Sequence, residues 1–88
     1  MKFKVVWSFN AESRLAHLWL HAPDRRAVSA AADAIDRLLH IDAHDIGESR
    51  EGNRRIIHEP PLGVIVSVSI PDQKVLVLDV WRYEKRKS

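Results

Sequence analysis

The run at residues 64–81, VIVSVSIPDQKVLVLDVW, decides how the chain is read. From Val64 to Ile70 every residue is β-branched or Ser. Such residues suit a pleated, half-buried surface and lose rotamer freedom in a helix. Val64, Val66, Val68 and Ile70 share one face, and Ile65, Ser67 and Ser69 share the other. Pro71-Asp72-Gln73 reads as a hairpin loop. Lys74 to Trp81 is apolar on both faces except at Asp79, which puts this last strand in the middle of a sheet.

Towards the N-terminus, Arg54 to Glu59 reads as another strand, ended by Pro60-Pro61, with Leu62-Gly63 completing the break. Gly47 to Asn53 carries a glycine near each end and reads as a loop. Two helices precede it. Ala11, Leu15, Leu18, Trp19 and Ala22 recur at helical spacing, with Ser8 or Asn10 as cap and Pro23 as stop. Val28, Ala31, Ala32, Ile35, Leu38 and Leu39 form the stripe of a second helix, capped by Asp24 and fraying after Leu39 or Ile41. Lys2 to Trp7 alternates and reads as the first strand. The expected fold is α+β, β-α-α-β-β-β. A helical hairpin packs on a four-stranded, mainly antiparallel sheet, with the first strand beside the last.

At 88 residues the chain has room for one domain, 1–88. Its 45% hydrophobic and 30% charged composition is that of a globular protein. The absence of Cys excludes a disulfide framework and thiolate metal sites. The opening MKFKVVWSF lacks the apolar run of a signal peptide, and no window is long enough to span a membrane, so a soluble, cytoplasmic protein with no membrane contact is expected. Net charge is +2, and the excess falls in the second half. A basic tail begins at about residue 82: Arg82 to Ser88 holds four basic residues against one acidic. Such a segment attracts phosphates or an acidic protein, or simply keeps the chain soluble.

Element order and four segments together resemble the RelE/ParE superfamily of toxins from type II toxin–antitoxin systems, also known from plasmid stabilization. The segments are KFKVVWSFNAESRLAHLWLHA, the Gly47-Glu48-Ser49-Arg50 loop with Arg54-Arg55-Ile56-Ile57, the Pro60–Val68 turn and strand, and Val75–Arg82, a last strand ending in arginine. The resemblance covers nearly the whole chain. It implies a toxin held inactive by a cognate antitoxin whose disordered segment folds over it. It also implies one of two targets. RelE-like members inhibit growth as ribosome-dependent mRNA interferases, cleaving mRNA in the decoding site; ParE-like members poison DNA gyrase without chemistry of their own. An attenuated member acting only as an antitoxin-binding module is a third reading. Two departures from the family pattern stand out. Tyr83 follows Arg82 directly, where the pattern sets a tyrosine several residues beyond the final arginine. No lysine lies between Lys4 and Lys74, where the nucleases carry lysines.

Metal-independent RNA cleavage uses the 2′-hydroxyl as nucleophile. It needs a base, an acid and cations around the phosphorane-like transition state. The candidate catalytic residues are Arg54, His58, Arg82 and Tyr83, with Arg50, Arg55, Lys85 and Arg86 as nucleic-acid contacts. Arg54 and His58 alternate onto one strand face. His58 is the acid or base by type, Arg82 would grip a phosphate, and Tyr83 would stack on a base or give a proton. Structural roles compete: Arg54 or Arg55 could pair with Glu48, Glu51 or Glu59, and Tyr83 could anchor the tail. His17 and His21, one helical turn apart, lack a third ligand, so no metal and no cofactor are expected. Trp7, Trp19 and Trp81 read as core or partner-facing anchors.

Overall fold

The computed structural model describes residues 2–83. Its elements are β1 (Lys4–Trp7), α1 (Phe9–His21), α2 (Arg25–Asp42), β2 (Glu48–Ser49), β3 (Arg54–Glu59), β4 (Leu62–Ser69) and β5 (Lys74–Arg82). They form a five-stranded sheet in the order β1-β5-β4-β3-β2. β1 runs parallel to β5, and the remaining pairs are antiparallel. The α+β class and the place of β1 beside the last strand are as expected.

Two sequence expectations are corrected. The sheet has five strands rather than four, because Glu48 and Ser49 pair with Ile56 and Arg55 inside the stretch read as a loop. Leu62-Gly63 is not part of the break. Pro60-Pro61 alone turns the chain, and the ladder closes at once with Glu59 opposite Leu62.

Local chemistry explains the helix starts. The Ser8 hydroxyl accepts the Ala11 amide at 3.0 Å, satisfying one of the unpaired first-turn donors of α1. Asp24 holds the matching position before α2 but makes no side-chain cap bond; its carboxylate is turned elsewhere. Trp7 Nε1 donates to Asp36 Oδ1 at 3.2 Å, and the Phe3 amide donates to the His40 carbonyl at 2.7 Å, so β1 is tied along α2.

One face of the sheet carries the core. Val64, Val66, Val75, Val77 and Val80 are fully buried against Val28, Ile35 and Leu39 of α2 and Ala11 of α1. At roughly 1.5–3 kcal/mol per fully buried aliphatic side chain, this layer is the main stabilising term of the fold. Alternation along β5 is interrupted once. Ile65 lies opposite Asp79 and Val66 opposite Val77, so Leu78 is an extra residue, a β-bulge. The bulge lets Val77 and Val80, three residues apart, face the same core. It also reverses the facing of every residue after it.

Candidate functional site

The sheet face turned away from the helices is built in rows of cross-strand partners. His58, Gly63 and Trp81 form one row; Ile56, Ile65 and Asp79 the next, the Asp79 carboxylate reaching Arg14 of α1 at 3.6 Å; Arg54, Ser67 and Leu76 the next. Gly63 is where a row needs glycine. A Cβ there would stand 2.6 Å from the Trp81 indole, which lies flat over the backbone. The indole in turn meets the His58 ring edge-on, with centroids 6.3 Å apart. Tyr83 also packs against His58, with ring centroids 4.5 Å apart and planes tilted by 31°. Its place is set by the backbone: the Tyr83 amide donates to the Pro61 carbonyl at 2.6 Å, carrying the ladder one step past β5. His58 is exposed, while Trp81 and Tyr83 are half-buried.

Arg54 shares this face with His58 and is exposed. The two are four steps apart along the strand, about 13 Å between their Cα atoms. Among the described residues no side-chain partner engages the Arg54 guanidinium.

The other arginines singled out in the sequence are placed differently. Arg82 lies opposite Leu62 on the helix-covered side. There it forms a two-point ion pair with Asp24, Nη1 to Oδ1 at 3.0 Å and Nη2 to Oδ2 at 3.1 Å. The Arg82 hydrogen bond holds the Asp24 carboxyl below the usual carboxylate range, against a smaller opposing effect of desolvation. Arg55 also faces the helices. Its Nε donates to the Ile46 carbonyl at 2.6 Å and its Nη2 to the Gly47 carbonyl at 3.2 Å, closing the loop after α2. Arg50 pairs with Glu48 at 2.7 Å at the far edge of the sheet. Lys85 and Arg86 lie outside the described residues. The structure thus brings together Arg54, His58 and Tyr83 on one face and sets Arg82, Arg55 and Arg50 apart from them.

Trp81 belongs to the His58 cluster, a placement missed in the sequence, where it counted only as an anchor. The signal that could have found it is Gly63, a lone glycine in a β-branched strand, which marks close approach of a large neighbour.

On the other layer, α1 and α2 splay apart over Trp7 and leave an open groove of about 650 Å³. Leu15, Trp19, Leu20, Val28 and Ala32 line it, and Glu12, Asp33 and Asp36 stand at its rim. Leu20 is 58% exposed and Trp19 39%, so the apolar stripe of α1 is incompletely covered. The Arg25 guanidinium lies 4.8 Å over the Trp19 ring.

His17 and His21 sit with ring centroids 4.4 Å apart on α1, but no group of three potential metal ligands occurs among the described residues. No helix among them is long and apolar enough to cross a membrane.

No protein-family model and no curated protein matches the sequence. Solved structures do. A chain of the chromosomal ParDE toxin–antitoxin system from P. aeruginosa superposes with a TM-score of 0.74 at 16% identity, covering 94% of this chain and 98% of that one. A chain of the toxin–antitoxin complex RelBE2 from Mycobacterium tuberculosis gives 0.71 at 14% identity, covering 93% and 99%. TrmO from Pseudomonas aeruginosa gives 0.63 at 24% identity, but only 35% of that longer chain takes part. Over nearly its full length, the chain adopts the fold of the RelE/ParE toxins.

Proposed function

We propose that this chain is the toxin of a type II toxin–antitoxin pair, acting in the cytoplasm by ribosome-dependent cleavage of mRNA across the open face of its sheet. The observation that carries this reading is the His58–Tyr83 pair, two side chains able to transfer protons whose ring centroids lie 4.5 Å apart on the open face. His58 would take the 2′-hydroxyl proton or protonate the leaving oxygen, and Tyr83 would serve the complementary step or stack on a base. Arg54 is the cation on the same face. Beyond Glu84, Lys85, Arg86 and Lys87 follow in the sequence and make the segment after the pair net positive.

The antitoxin segment occupies the groove between α1 and α2. Its apolar side chains cover Leu15, Trp19 and Leu20, and cationic side chains face Glu12, Asp33 and Asp36.

One observation favours a second reading, a ParE-like toxin that binds DNA gyrase without chemistry. The arginine at the end of β5, expected to grip a phosphate, is engaged by Asp24 on the opposite side of the sheet.

Expression of the chain alone separates the two. The ribonuclease reading expects growth arrest, a halt in protein synthesis and new mRNA ends within codons, all relieved by His58→Ala. Intact mRNA together with trapped gyrase and altered DNA supercoiling would replace it with the second reading. No arrest at all would leave an antitoxin-binding module.

A further inference from the structure

We propose that Lys4 and Lys74 form a phosphate-binding corner for single-stranded RNA at the end of the open face remote from His58. This deepens the ribonuclease reading and rests on it for the identity of the polyanion. Lys4 and Lys74 are direct partners on the parallel strands β1 and β5, about 4.8 Å apart. Both are exposed on the uncovered face, one row beyond Arg54, Ser67 and Leu76. Like charges directly opposite one another across a sheet are unfavourable. Neither lysine has a carboxylate partner among the described residues.

Five of the eight arginines of the described region, in contrast, are engaged by acceptors of the fold itself. Arg14 pairs with Asp79, Arg25 with helix carbonyls, Arg50 with Glu48, Arg55 with loop carbonyls, and Arg82 with Asp24. Protection of the sheet edge does not account for the pair. Lys4 on the edge strand β1 would serve that purpose alone, whereas Lys74 lies on an inner strand. An anion lying between them removes the repulsion.

Residues 74 and 81 of β5 stand roughly 20 Å apart along the strand. RNA with its reacting phosphate at His58 would therefore reach the corner several nucleotides away, passing Arg54. Rows two residues apart repeat every 6.8 Å or so, a spacing that lets successive backbone phosphates meet successive rows.

The test measures binding of a fluorescent oligouridylate carrying 2′-O-methyl groups, which cannot be cleaved by attack of the 2′-oxygen, to the purified chain. The Lys4→Gln/Lys74→Gln variant should bind roughly tenfold more weakly at about 0.1 M salt, and its log–log salt slope should be shallower by about 1.4, the value for two lost contacts to a single strand. Arg26→Gln/Arg37→Gln, on α2 in the other layer, should leave both unchanged. Circular dichroism checks that each variant is folded. Unchanged affinity and slope in the lysine variant overturn the proposal. So does lysine-dependent binding of a polyglutamate peptide with no RNA binding, which would make the corner a site for an acidic protein. The two readings fail separately. Cleavage that persists with no role for the lysines removes the corner alone. Lysine-dependent RNA binding in a chain that cuts no mRNA keeps the corner and removes the nuclease.

Discussion

Arg82 and Asp24 join the last residue of β5 to the start of α2 through two parallel N–H···O bonds, 3.0 and 3.1 Å long. Fork-to-carboxylate geometry of this kind depends on the planar guanidinium. Arg82→Ala and Asp24→Ala should therefore lower the melting temperature in the same direction, and the double variant should add little to either single one. Arg82→Lys should restore only part of the loss. Full additivity in thermal denaturation would show that the pair is not coupled.

The same pair makes a pH prediction. Arg82 depresses the Asp24 carboxyl in the folded chain, so the unfolded state takes up a proton first as pH falls. The stabilisation is complete above the ordinary aspartate range and is lost as pH drops through the lower, folded value. The melting-temperature gap between wild type and Arg82→Ala should hold steady at neutral pH and shrink below about pH 4. A gap that widens in acid would contradict this.

Gly63→Ala tests the aromatic row. The new methyl would meet the Trp81 ring at 2.6 Å, so the indole must lift from β4 and lose its edge contact with His58. The expected loss is about 1–3 kcal/mol in denaturant unfolding, with a shift in tryptophan emission. An unchanged spectrum and stability would mean that the indole does not sit over Gly63.

Gly47 ends the link from α2 to β2 with φ of 72°, and a side chain there would collide with the Ile56 carbonyl. Gly47→Ala combines left-handed strain with that clash and should destabilise the fold by about 1–3 kcal/mol. Gly52 has the same φ but open space around it, so Gly52→Ala should cost about 1 kcal/mol, from backbone strain alone. Equal losses at the two positions would discount the steric argument.

Leu20 is more than half exposed on the groove between the helices. Leu20→Asp should leave the free energy of unfolding within about 0.5 kcal/mol of wild type, as surface changes generally do. On the proposed toxin reading it should also prevent neutralisation, so that cells co-expressing the cognate antitoxin stop growing. Continued protection by the antitoxin would move its docking site away from this groove.

Much of the fold was legible in the sequence because its signals are local. Alternating Val at 64, 66 and 68, the helical stripe through Val28, Ile35 and Leu39, and the proline and glycine breaks each report a periodicity that the backbone imposes by itself. The shared face of Arg54 and His58 followed from the same alternation. Glu48-Ser49 was not legible, since a two-residue strand has no period to read and exists only because β3 offers it an edge. Nor was the position of Arg82. Strict alternation along β5 would set it on the face of Lys74 and Leu76, with Arg54. The extra residue at Leu78 turns it to the helix side, where Asp24 receives it, and turns Trp81 and Tyr83 towards His58. A bulge arises from the fit between two strands distant in sequence, so only their packing decided which side chains share a surface.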